Sequence, residues 1–320
     1  MSSNALSLET TKKRSPLKWA LLLVINGVIF YFLHRWFTQN IDLGALRQAF
    51  TLIPLSAVMV ALIGGILLLL AYGWRVSLLL QHPLRPATEI TVYSFGLNIL
   101  LPFRLGDIAS LYYARRHYGV SASQLLVIKV IEKSLDLATV GIIGACVIIM
   151  GLEAVHKDSL ATVTILVTCA LIGGATVFIA NHQEWRIMQW LMNPPIISSL
   201  ITHFLETLLR PNKIQIFLVT LMVWLLSIAI VRGFFMLALP AGSVSWLDAA
   251  TLTFLTTFSL GIPSSPGAIG VLEAVIVFYV TKFMQVDAEV ALASALCFHL
   301  CMSSPHLLLT GIIALKNAYR

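Results

Sequence analysis

Long apolar runs alternate with short polar connections along almost the whole chain. Runs near 17–37, 51–74, 124–150, 161–180, 214–237 and 289–314 are each long enough for a helix to cross a hydrocarbon core of about 30 Å. Two further apolar stretches, 88–102 and 247–283, are interrupted by Pro and Gly. The longest polar connections, about 38–50 and 181–213, are too short to hold a soluble domain. The pattern predicts an all-α polytopic membrane helix bundle in a single integral membrane domain over 1–320. It has a basic tail over 1–18, a first half over about 19–180 and a second half over about 181–320.

The third run departs from this pattern. Within "LLVIKVIEKSLDLATV", residues 125–140, stand Lys129, Glu132, Lys133 and Asp136. At roughly 100° per residue these four fall within an arc of about 100° on one helix face. A central Asp, Lys or Arg costs about 2.5–3.5 kcal/mol to insert, so a stripe of four needs compensation. The formal charges cancel, and Lys129 can pair with Glu132 at i,i+3. Like charges, however, meet at i,i+4 as Lys129 with Lys133 and Glu132 with Asp136. External partners are therefore expected, with Arg104 and Asp107 on the first broken stretch as candidates. The alternative is a neutral network that only pins that stretch to the bundle.

The two broken stretches can be laid on one another. "TVYSFGLNILLPFRLGD" breaks at Pro102, Arg104, Gly106 and Asp107, and "LTFLTTFSLGIPSSPGAIG" breaks at Pro263, Pro266 and Gly267. With an offset of 161 residues, Asn98 meets Ser259, Pro102 meets Pro263 and Gly106 meets Gly267. Such breaks leave backbone hydrogen bonds open inside a membrane. Interrupted segments at corresponding positions of two halves point to a transporter binding site. Three full spans lie between them, so the halves are expected to be inverted. Residues 88–102 are expected to dip in from the cytoplasm and 247–262 from outside, with Pro266–Lys282 returning as a helix; short spans or interfacial helices with ordinary Pro kinks are the other reading. A helix starting at Pro266 with Ser265 as N-cap would attract an anion. Glu273 shares the face of Gly270, either at a functional position or solvated at the outer interface.

Composition and charge agree with a membrane class. Hydrophobic residues make up 58% and charged residues 11%, against about 25% charged in soluble domains. The net charge of +7 follows the positive-inside bias. Only Arg35, Arg47, Lys157, Arg232 and Lys282 are expected at or near the outer side, and Lys129 and Lys133 lie in the third run. Both termini are placed in the cytoplasm, nucleic-acid binding is not expected, and the first run lacks a signal-peptide cleavage site. "YYARRHYG", residues 112–119, suits an amphipathic segment at the cytoplasmic headgroup layer. Cys297 and Cys301 share a face near His299, but no carboxylate accompanies them in sequence. No metal or cofactor is expected.

With these motifs in order, "NILLPFRLGDIASLYYARRHYGVS", "IEKSLD" and "GIPSSPGAIGVLEA" resemble the membrane region of lysylphosphatidylglycerol synthases and related flippase-like integral membrane proteins. The resemblance carries the family pattern onto Asn98, Pro102, Arg104, Gly106 and Asp107, then Glu132, Lys133 and Asp136, then Pro263, Pro266, Gly267, Gly270 and Glu273. Lys133 stands where the family usually has Arg, Ala268 where it has Gly, and His299 about where relatives often have Arg.

The resemblance implies a lipid-handling membrane domain. In the synthases this region accompanies a soluble aminoacyl-transferase domain, and the sequence stops at Arg320 soon after the last run, so lysyl transfer by this chain alone is not expected. The expected function is movement of an anionic phospholipid or polyprenyl-phosphate-linked lipid between leaflets of the inner (plasma) membrane, with Arg104, Lys129 and Lys133 holding phosphate and Asp107, Glu132, Asp136 and Glu273 able to take protons. The alternative is a membrane-embedded enzyme, or an accessory subunit partnering a lipid-modifying enzyme, for headgroup modification.

Overall fold

In the computed structural model, Pro54 sets where the second apolar run becomes a long helix. A short helix, α1 (Leu43–Leu52), is capped by Asp42, whose carboxylate accepts from Ala45 N–H at 2.7 Å. It ends at Ile53, and Pro54, in extended backbone, starts α2 (Leu55–Leu80). The span expected from residue 51 to 74 is thus shifted: the chain breaks at 53–54 and the helix continues to Leu80. At about 1.5 Å per residue its 26 residues reach about 39 Å, more than the hydrocarbon core requires.

The structure describes residues 41–101, 105–154, 212–240, 244–259 and 266–318, together with 27, 31, 34–35 and 37–39. The expected runs at 17–37 and 161–180 fall largely or wholly outside these residues. The chain divides into two compact units, Met1–Asn40 and Ile41–Arg320, and the helices described here belong to the second.

Both broken stretches form hairpins of short helices. The first pairs α3 (Leu84–Leu100) with α4 (Leu105–Tyr118), and 17 or 14 residues are too few to cross the core alone. The arms are antiparallel. A methyl group on Gly106 would overlap the backbone of Ser94 and Asn98. Farther down, Tyr93 stacks on Tyr113 at 4.4 Å, and the hydroxyls of Tyr113 and Tyr118 both donate to Glu89. The second hairpin pairs α7 (Trp246–Ser259) with α8 (Val271–Met284), and Tyr279 Oη donates to Asp248 at 2.8 Å across its base. Each base is therefore fastened in the same way, by a carboxylate on the first arm and a tyrosine on the second.

Long helices flank the hairpins: α5 (Ala122–Ala154) follows the first, while α6 (Lys213–Ala238) and α9 (Ala288–Ala318) bracket the second. The order in each half is long helix, hairpin, long helix. α2 and α6 pack antiparallel, with Gly64 against Ile230, Gly233 against Val60, and Asn212 Nδ2 donating to Leu78 O at 3.1 Å. The first hairpin consequently enters from the Leu80 end of α2 and the second from the opposite end. This is the inverted arrangement expected from the sequence.

The closing helices are exchanged between halves. α5 packs on α7, where a methyl on Gly144 would overlap the Phe254 ring and Val140, Trp224 and Phe254 form a cluster. α9 packs on α3, where Thr310 donates to Val92 O at 2.9 Å beside Gly96.

The outer surface is apolar. In the most apolar windows of α2, α6 and α9 only 33%, 39% and 28% of residues are buried, and Leu55, Ile214, Phe217, Leu300 and Leu308 face outward. Contiguous exposed apolar surface on this scale suits lipid and not water. Length and apolarity qualify all three helices to cross a membrane.

Candidate functional site: an ion network and two meeting hairpin tips

The charged face of α5 is held by an arginine from outside the three motifs. Arg75, near the end of α2 and 1% exposed, bonds Asp136 through Nη1 at 2.6 Å and Nη2 at 3.2 Å, and Glu132 through Nη2 at 3.2 Å. A planar guanidinium fork can serve two carboxylates at once. The apolar run expected over 51–74 leaves Arg75 just past its end, among the cytoplasmic charges. Extension of α2 to Leu80 instead carries Arg75 inside the bundle.

From Glu132 the network continues toward the first hairpin. Lys129 Nζ lies 3.4 Å from Glu132 and 3.9 Å from Asp107, and above Phe95 at 6.0 Å. Asp107, on the first turn of α4, also accepts from Ser94 Oγ at 2.6 Å, while its N–H donates to Asn98 Oδ1 at 3.2 Å. Lys133 is half exposed, with Nζ 4.0 Å from Asp136. The order Asp107, Lys129, Glu132, Arg75, Asp136, Lys133 alternates in sign and sums to zero. Asp107 is the external partner expected from the sequence. Arg104 and Pro102 lie outside the described residues, as does Pro263.

The second hairpin carries a smaller counterpart. Glu273, the third residue of α8, is 4% exposed. One of its oxygens accepts from Gly270 N–H at 2.6 Å and the other lies 2.6 Å from His299 Nδ1 on α9. Asp107 occupies the same place, third in α4. Each hairpin thus presents a carboxylate just past its tip, and each carboxylate meets a nitrogen base on the long helix that follows. The reading of Glu273 as merely solvated at the outer interface does not hold. His299 turns toward Glu273, leaving Cys297 Sγ and Cys301 Sγ 4.0 Å apart.

The helix expected to begin at Pro266 begins later. Pro266 lies in a 3₁₀ turn, Pro266–Ala268, and α8 starts at Val271. Gly267, Ala268 and Gly270 have φ of 66°, 57° and 91°. Such left-handed residues cannot continue a right-handed helix, and glycine accepts that backbone without strain. The expected Ser265 N-cap lies outside the described residues. At the real start, Glu273 already serves the Gly270 N–H, as the acidic half of a capping box.

The tips meet. A methyl on Gly267 would sit 3.3 Å from Ile99 O at the end of α3, so the turn of the second hairpin rests against the end of the first. Asn98, Gly106 and Asp107 at one tip and Gly267, Gly270 and Glu273 at the other are brought to the same level of the bundle. Glu132 and Lys129 adjoin the first tip, while Asp136 and Lys133 lie further along α5.

No curated protein matches the chain. The family model described as the lysylphosphatidylglycerol synthase TM region matches residues 19–309. The match includes both hairpins, the ion network and the Glu273–His299 pair. The chain is therefore an integral membrane protein that belongs to the lysylphosphatidylglycerol synthase TM region family.

Proposed function

We propose that this protein moves an amphipathic lipid, an anionic phospholipid or a polyprenyl-phosphate-linked one, between the two leaflets. The observation that carries this reading is the pair of hairpins that enter from opposite ends and touch at their tips, each with a carboxylate and its base just behind, Glu273 buried and Asp107 partly so. A polar interior at the meeting point, inside an apolar shell, offers a headgroup a route while its chains stay in lipid. Lys129 and Arg104 would hold phosphate, with Lys133 at the more open side. Asp107, Glu132, Asp136 and Glu273 would exchange ion-pair partners or protons as the tips part. The protein would act as one membrane domain in the inner (plasma) membrane, with both termini cytoplasmic and membrane lipids as its partners.

The test is leaflet-resolved movement of labelled phosphatidylglycerol in proteoliposomes, normalised to folded protein by size-exclusion profile. Lys129→Gln and Glu273→Gln are expected to abolish movement while leaving a folded, inserted population. Swapping Arg104 and Asp107 preserves local charge and is expected to abolish movement as well. Normal movement in both single variants would show that the residues are structural. No movement by the wild-type chain would favour an accessory role beside a lipid-modifying enzyme.

A further inference from the structure

The inverted halves place an arginine at matching points of their first long helices. Arg75 stands five residues before the end of α2 at Leu80, and Arg232 stands six before the end of α6 at Ala238. Each lies over an aromatic ring, Arg75 over Tyr72 at 5.0 Å and Arg232 over Trp246 at 4.7 Å. Beyond this the two environments differ. Arg75 is matched by two carboxylates, whereas Arg232 has no ion-pair or hydrogen-bond partner among the described residues, and its Nε is shielded from solvent without an acceptor.

The cause lies in α9, the counterpart of α5. Its only carboxylate is Glu289, on its first turn, and Glu289 accepts from Asp42 N–H. Nothing on α9 replaces Glu132 and Asp136. Because α2 and α6 are antiparallel, Arg232 is at the end of the bundle opposite to Arg75. Six residues at 1.5 Å place it about 9 Å inside the end of α6, a depth from which an arginine side chain reaches the headgroup layer. Trp246, beneath it, is 59% exposed, so the stacked pair opens to the surroundings. A guanidinium held on a ring, partly desolvated and without a carboxylate among the described residues, keeps its planar fork for an oxyanion.

We propose that Arg232, seated on Trp246, binds a phosphate group at the Ala238 end of the bundle. That phosphate belongs either to a lipid headgroup of the adjacent leaflet or to a soluble phosphate. The proposal holds whether or not the chain moves lipid, and its readout is binding alone.

The purified full chain in nonionic detergent is titrated with dioleoylphosphatidylglycerol and followed by native mass spectrometry. Parallel thermal melts compare inorganic phosphate with chloride at matched ionic strength. Arg232→Gln is expected to weaken one phosphatidylglycerol adduct by about tenfold, the loss of roughly one charge-assisted contact. Arg232→Lys keeps the charge without the fork and is expected to weaken it less, so the proposal stays testable if the glutamine variant folds poorly. Loss of the lipid adduct without a phosphate-dependent melt assigns the site to a headgroup. A wild-type rise in melting temperature with phosphate that Arg232→Gln removes assigns it to soluble phosphate. Equal lipid binding and equal melts in the wild type and in whichever arginine variant folds would overturn the proposal.

Discussion

Arg75 illustrates how much one side chain can organise. It brings α2 to α5 and holds Glu132 and Asp136, leaving Lys129 to bridge to Asp107 on the hairpin. Removing one partner of a buried pair leaves the others charged in a poorly solvated place, at a cost of about 3–5 kcal/mol. Arg75→Met is therefore expected to lower the unfolding temperature in detergent sharply, and Arg75→Lys by less. An unchanged melt in Arg75→Met would mean that the two carboxylates find other partners or are not charged. The charged stripe and the pairing of Lys129 with Glu132 were legible from spacing alone. Arg75 was not, because a lone arginine at the end of an apolar run looks the same whether it flanks the span or lies inside it. Only the true end of the helix, at Gln81 with φ of 54°, separates the two cases.

At the scale of elements, the hairpins depend on close backbone approach at their tips. Gly106 sits against the Ser94 carbonyl and Asn98 amide of α3, and neither backbone atom can move aside as a side chain would. Gly106→Ala is expected to part the arms and cost the folded population, read as a loss of the monodisperse size-exclusion peak. Gly311→Ala on α9 meets nothing within 4 Å, and should be neutral or up to about 1 kcal/mol stabilising through helix propensity. Similar profiles for the two variants would contradict the tight tip. The Pro and Gly breaks made both interrupted stretches visible in the sequence. The restart of α8 at Val271 was hidden, because Pro266 has the composition of a helix start while left-handed backbone at Gly267, Ala268 and Gly270 leaves little trace in residue type. Ala268 holds this backbone where the family pattern has glycine.

At the scale of the molecule, inversion of the halves has a direct consequence for topology. If both termini are cytoplasmic, as proposed, the Ala154 end of α5 is expected outside and the segment before α6 inside. Glu153→Cys should react with an impermeant thiol reagent in intact cells, and Glu184→Cys only after permeabilisation. The reverse labelling would overturn the proposed orientation. The offset of 161 residues aligned the two broken stretches, and the three apolar runs expected between them pointed to the inversion. The exchange of closing helices was not readable, since contact between apolar faces far apart in sequence leaves no periodicity to detect. Thr310 against Val92 and Phe254 against Gly144 emerge only from the folded chain.

That exchange also bears on biogenesis. Thr310 and Val92 are 218 residues apart, so α3 leaves the ribosome long before the helix that covers it. At about 5–20 residues per second this interval is roughly 10–40 s. Throughout it, Glu89 lacks Lys316, Gly96 lacks Thr310, and the face of α3 that α9 will cover stays open. A nascent chain in this state leaves the face of α3 around Val92 and Gly96 uncovered, so its survival depends on whatever the insertion machinery offers as a temporary neighbour.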